Sequence, residues 1–240
     1  MLRNAISGPA ARNSHAHVVH GIGLAIVSGQ YPVGTMLPGD LELAEQFHVS
    51  RTVLREAMKT LSAKGMVLPR AGVGTRVTER TAWNFFDADV LSWHIAIGID
   101  SDFLGHLFDM RRAFEPQAAR LAAERNGTAD VSAMRRAAEA MRTAPTIEEF
   151  SIADLQFHLA VLDASGNPFM HSVGTVIEAA LVAAFKLSSP AHENRETVAS
   201  AHERIADAIE SGDPPAAEAA ARSVIDAGLV RVAGRLTDPG

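Results

Sequence analysis

Residues 37–77 read LPGDLELAEQFHVSRTVLREAMKTLSAKGMVLPRAGVGTRV, and the fold turns on this stretch. Leu41, Leu43, Ala44 and Phe47 recur at helical spacing and predict a short helix from about Gly39-Asp40, with Asp40 as its candidate cap. His48-Val49 reads as a tight turn. Ser50 is a natural N-cap for a second helix, which runs to about Lys64 with Leu54, Ala57, Met58 and Leu61 as its buried stripe. Gly65 closes it in the left-handed conformation. Met66-Val67-Leu68 and Thr75-Arg76-Val77 read as short strands around a turn in which Gly72 and Gly74 let the backbone approach a phosphate. Helix, turn, helix and hairpin make a winged helix-turn-helix, a unit that lays its second helix in the DNA major groove.

The start of that second helix carries Ser50-Arg51-Thr52-x-x-Arg55. Arg51 and Arg55 lie four apart and share a face. A guanidinium there can grip guanine O6 and N7, or a phosphate, through two hydrogen bonds. Ser50 and Thr52 can donate to phosphates, and Gly72 and Thr75 complete the set from the wing. The competing reading is a solvated polar face. Two arginines at a helix start oppose the macrodipole, which favours acids there, and that cost points to an external anion.

The balance of charge follows the same division. The net charge is −6, which argues against nucleic acid, yet residues 1–80 carry +4 and the remainder −10. A basic head on an acidic body suits a DNA-binding module joined to a regulatory one. Without cysteine there is no disulfide framework, zinc finger or thiol chemistry. No apolar run approaches the roughly 20 residues that cross a bilayer, and the N-terminus lacks the apolar core of a secretion signal. The expectation is a cytoplasmic protein with no membrane partner.

Upstream, residues 15–28 predict a helix with Val18, Val19, Ile22, Ala25 and Ile26 on one face, ended by Gly29. The first 13 residues read as disordered, and His15, His17 and His20 as belonging to a mobile terminus. Residues 79–101 form an aromatic linker holding both tryptophans, Trp83 and Trp93, with Phe85, Phe86 and Leu91; so apolar a stretch should pack against one of the domains. From 102 to 236 the pattern is helical throughout, with helices at 102–126, 128–142, 146–165, 168–187, 193–211 and 213–236. The breaks fall at Gly127, Pro145, Gly166-Asn167-Pro168, Ser189-Pro190 and Gly212-Asp213-Pro214. Asn167-Pro168 reads as an N-cap followed by proline at the first helical position. The fold class is therefore mainly α: a winged helix-turn-helix at 14–78, the linker, and an antiparallel helical bundle at 102–236.

Within the bundle, Asp154 and His158 stand four apart on one helix face, and His202 lies on a later helix. An aspartate and two histidines can make an open metal site, leaving positions for water or a ligand. A surface Asp–His pair is the competing reading. Arg111 and Glu115 are also four apart: facing inward, the arginine could bind a carboxylate and the glutamate accept from hydroxyls; otherwise they form an intrahelical salt bridge. His48 belongs to the turn; His94, His106, His171 and His192 have no partner at ligand spacing.

LAEQFHVSRTVLREAMKTLSAKGMV with its G-x-G-T wing resembles the GntR family of bacterial regulators over residues 14–78. Leu41 stands where that family often has an arginine touching DNA, so no contact is carried over to it. ADLQFHLAVLDASGNPF resembles the D-x-x-x-H…N motif of the FCD ligand-binding domain, the usual partner of this head in the FadR subfamily. The resemblance implies a divalent metal, zinc first and nickel or manganese next, on Asp154, His158 and His202, with effector contacts from Arg111 and Glu115. A fourth histidine of many members falls at Val224 here. WNFFDADVLSW and DFLGHLFDMRRAFEP are similar to the D-galactonate-responsive repressors of this subfamily. The implied protein is no enzyme but a homodimeric repressor that binds an inverted-repeat operator in double-stranded DNA. It would be released by a small carboxylate effector, a sugar acid such as an aldonate. A metal-dependent enzyme and a metal-ion sensor are the alternatives.

Overall fold

The computed structural model describes residues 14–70, 72–125, 129–187 and 195–236. The expectations for the first 13 residues, Gly127, Ser189-Pro190 and His192 lie outside these. The chain divides into two compact units between Ile99 and Asp100.

The first unit holds α1 (Ser14–Val27), α2 (Asp40–Gln46) and α3 (Arg51–Ala63). The strands β1 (Val67–Arg70) and β2 (Gly74–Val77) pair antiparallel, with Val67 opposite Val77 and Arg70 opposite Gly74. Val18, Ile22, Leu43, Leu54, Leu61 and Met66 meet in its core. Burying such a side chain contributes roughly 1.5–3 kcal/mol. Ser50 caps α3 by accepting from Val53 N at 3.3 Å. The cap position of α2 is Gly39, not Asp40, and no side chain serves it; Asp40 is the first helical residue, where its charge suits the helix dipole. His15, His17 and His20 stand on α1, not on a loose terminus, and the Nε2 of His15 lies 3.0 Å from the Thr60 hydroxyl.

The segment after the wing folds as a 3-10 turn (Arg80–Ala82) and a helix, α4 (Ala88–Ile97). Asp87 caps α4 by accepting from the backbone amides of Asp89 and Val90. Trp83, Val90 and Trp93 are buried within the core of the same unit. Trp93 Nε1 donates to His20 Nδ1 at 2.9 Å, and its six-membered ring lies against Gly23, where a Cβ would meet ring carbons at 2.4 Å. Lys64 at the end of α3 reaches both oxygens of Asp87 at 2.7 Å. Gly65 has φ +77°, and a Cβ there would lie 2.0 Å from the Ala82 carbonyl oxygen. Only glycine meets both demands.

The second unit is all-helical: α5 (Ser101–Glu124), α6 (Ser132–Thr143), α7 (Ile147–Ala164), α8 (Pro168–Leu187), α9 (Arg195–Glu210) and α10 (Pro214–Leu236). Asp100, Thr146 and Asn167 accept from the amides of Phe103, Glu149 and Phe169, so three helices start on side-chain caps. α5 packs on α10, α8 and α7, and its buried Ala118, Ala119, Ala122 and Ala123 let neighbouring backbones come close. α8 is long and apolar enough to cross a membrane, contrary to the expectation from apolar runs. Half of it is buried against other helices, as a bundle's core helix is.

Candidate functional site

In the first unit, the exposed side chains of Arg51, Thr52 and Arg55 project from the start of α3. Among described residues, no acid stands in the first turn of that helix to neutralise them. Gly72 is exposed with φ +72°, and Thr75 is half-buried on β2, its carbonyl accepting from Leu37 N at 2.8 Å. His48, in the turn, takes φ +52°. Arg70 and Arg76, both exposed on the wing strands, were not singled out from sequence; Arg76 Nε donates to the Gly34 carbonyl at 2.9 Å. Their places on the two strands that flank Gly72, Arg70 on β1 and Arg76 on β2, are the signal that could have found them. Backbone amides, hydroxyls and guanidinium groups are the groups that bind phosphate and read base edges.

In the second unit, α7 brings Asp154 and His158 together, and α9 adds His202. One ligand atom from each lies within 4.8 Å of the others. His202 Nε2 is 3.1 Å from Asp154 Oδ1, and His158 Nε2 is 3.5 Å from the same oxygen. Each ring is held from its other nitrogen. His202 Nδ1 donates to the Val198 carbonyl at 2.8 Å, and His158 Nδ1 donates to Glu115 Oε2 at 2.5 Å. In a neutral imidazole this leaves Nε2 with a lone pair. With both rings neutral in that form, the two nitrogens and the carboxylate oxygen make a donor set that fits a divalent cation. Burial pushes the His158 ring down, but the Glu115 and Asp154 carboxylates beside it outweigh burial and hold it above its ordinary 6.5, so a cation there would take the place of a proton.

Burial would raise the Asp154 carboxyl, but the two imidazoles against it outweigh burial and hold it well below the usual range. Glu115 behaves likewise. Burial pushes it up, yet Arg111 and His158 bring it down to about 2, so it stays ionised.

Arg111 Nε donates to Glu115 Oε1 at 2.6 Å, and its Nη2 lies 3.0 Å from His158 Nε2. The salt-bridge reading of this pair therefore holds, and it is buried. Glu115, expected to receive effector hydroxyls, is 1% exposed and turned to Arg111 and His158 instead. It fixes the ring and the guanidinium from behind. Arg111, Asp154, His158 and His202 line one cavity with Ser151, Phe108, Phe150 and Phe185. Val224 lines the same cavity, so the position where a fourth histidine was sought holds an apolar residue there. Arg231 also lines it, a residue for which no local motif gave a signal; only the packing of α10 brings it there.

Residues 15–77 match the bacterial regulatory proteins of the gntR family, and residues 106–227 match the FCD domain. The galactonate operon transcriptional repressor of Escherichia coli (strain K12) is 33% identical over 215 residues, 89% of this chain and 94% of that protein. The uncharacterised HTH-type transcriptional regulator YieP of the same organism is 41% identical over 155 residues, 63% of this chain and 67% of its own. A solved structure of Lar, from Listeria monocytogenes, has a TM-score of 0.66 at 19% identity, over 94% of this chain and 99% of that one. That likeness concerns the fold.

Proposed function

This chain belongs to the gntR family of bacterial transcriptional regulators and carries an FCD effector-binding domain, and from that premise we propose that a small carboxylate held at Asp154, His158 and His202 controls its grip on DNA. The observation that carries this reading is the convergence of two oriented imidazoles and a carboxylate beside Arg111 on the wall of one cavity. A divalent metal on those three residues, zinc first, would supply a Lewis acid for a carboxylate with an adjacent hydroxyl. Arg111 and Arg231 offer guanidinium groups for the effector's charge, and Ser151 a hydroxyl.

The E. coli relative named for the galactonate operon supports a sugar acid, such as an aldonate, as the effector class. Arg51, Thr52 and Arg55 meet the operator from α3, with Ser50, Gly72 and Thr75 on its phosphates. A homodimer places two such heads on the half-sites of an inverted repeat. Effector and operator then each weaken the other by linkage, and repression is relieved by ligand.

A thermal-shift screen of sugar acids and shorter hydroxy acids, with and without zinc, tests this. One acid should stabilise the protein in a metal-dependent way, and His158→Ala should lose that response. Stabilisation that persists in His158→Ala, or none from any acid, would remove the site from the account.

A further inference from the structure

Leu41 is 55% exposed, on the second residue of α2. A single exposed leucine is ordinary on a protein surface. Its position is not. Leu41, Ala44 and Glu45 stand at the i, i+3, i+4 spacing of one face of α2, and His48 follows in the turn. That face and the start of α3 line one surface recess, in which Leu41 sits with Ser50 and Arg51. Val49, half-buried, is the recess's other sizeable apolar group, and Leu41 is the exposed one. Ala44 is buried beneath it.

We propose that Leu41 is a base-reading residue: its isobutyl group packs on the 5-methyl of a thymine in each operator half-site, beside the base pair that Arg51 reaches. This rests on the reading of Arg51 as a DNA contact and extends it to the identity of a base. The major groove presents four kinds of edge. Thymine alone adds a methyl to the acceptor and donor pattern, and an apolar side chain is the group that discriminates for it. Leucine offers nothing to a phosphate or to guanine O6 and N7, so its exposure on this surface has no polar use. Continuity with Arg51 and the guanidinium charge of α3 name DNA as the occupant. A second apolar protein surface would bury both arginines without partners.

The test uses the full-length protein and a duplex selected by it from a randomised pool. Each thymine of the selected duplex is then replaced, one at a time, by uracil, which removes the methyl and keeps the hydrogen-bonding edge. One thymine per half-site should respond with binding about four-fold weaker, the worth of roughly one buried methyl(ene). In Leu41→Ala, which changes an exposed side chain and keeps the thermal stability of the parent, that uracil penalty should vanish. Leu41→Arg should select guanine at that position. If no thymine responds to loss of its methyl, or if the penalty is undiminished in Leu41→Ala, the proposal is overturned. Arg51→Ala separates this from the underlying reading. Binding lost in Arg51→Ala with no uracil effect in the parent sinks only the role of Leu41. Full binding by Arg51→Ala, or a parent that enriches no sequence, sinks both.

Discussion

His158 and His202 face each other through their Nε2 atoms at 3.3 Å, while each Nδ1 is committed elsewhere, to Glu115 and to the Val198 carbonyl. The rings come from α7 and α9, helices separated by α8 in sequence. Both Nε2 atoms also lie against one carboxylate oxygen, Asp154 Oδ1, at 3.1 Å from His202 and 3.5 Å from His158. The hydrogen bonds behind the rings orient them and aim both at Asp154.

Zinc should therefore bind with one ion per chain, measured by elemental analysis after dialysis. Saturation at about 100 times the dissociation constant would add about 2.7 kcal/mol and raise the melting temperature by about 5–10 °C. A chelator should reverse the rise. His202→Ala should bind no stoichiometric metal and show no shift on adding zinc.

Glu115→Gln tests the residue that stands behind the ring. Glu115 accepts from both Arg111 and His158 and is fully buried. The neutral amide keeps the shape but weakens the hold on the ring's orientation. Metal affinity, followed by competition with a chelating dye, should fall about 10–100-fold. An unchanged affinity would reduce Glu115 to a partner of Arg111 alone.

Arg231→Ala should retain operator binding and metal while losing most of the response to the effector. Arg231 lines the cavity from α10, and losing one charge-assisted hydrogen bond to the effector would cost about 1.5–3 kcal/mol, roughly 10–150-fold in effector affinity. Isothermal titration with the acid identified by the thermal screen measures it. Equal affinities would place the ligand elsewhere in the cavity.

Much of this could be read from the chain, for reasons that differ by element. Ser50, Gly65 and Asn167-Pro168 mark helix ends through their own backbone chemistry, and the structure uses each as marked. The Asp154–His158 spacing needed only a helix to become a juxtaposition. α4 escaped because its ten residues carry apolar groups on several faces, so no periodicity stands out; the Asp87 cap was its one local sign. Glu115 was read as facing ligand because spacing pairs it with Arg111 but does not say which side of the pair meets the cavity. Arg231 and Val224 reach the cavity only through the packing of α10, a long-range fact with no local signature.

Gly23→Ala should damage the first unit alone. Its new Cβ would stand 2.4 Å from the Trp93 ring, and Trp93 is itself buried and tied to His20. Overpacking of this kind costs about 1–3 kcal/mol. Differential scanning calorimetry should show an earlier transition for this unit, with zinc binding intact. Trp93→Phe tests the same contact more gently: it frees His20 Nδ1 and should cost about 1 kcal/mol.

The tie between α3 and α4 also has a pH signature. Burial pushes the Lys64 ammonium down, but hydrogen bonds to Asp87 and Asp89 outweigh it, so its pKa stands above the ordinary 10.5. A cation whose pKa is raised by folding stabilises the folded state fully below its unfolded value. That contribution is lost as pH rises from about 10.5 through the folded value. The parent's melting temperature should thus fall more steeply in alkali above pH 10.5 than that of Lys64→Met, which cannot titrate there. The difference between the two should be constant from neutral pH up to that point. Parallel curves above pH 10.5 would mean that Lys64, although 2.7 Å from Asp87 and 2.9 Å from Asp89, contributes through its alkyl chain and not its charge.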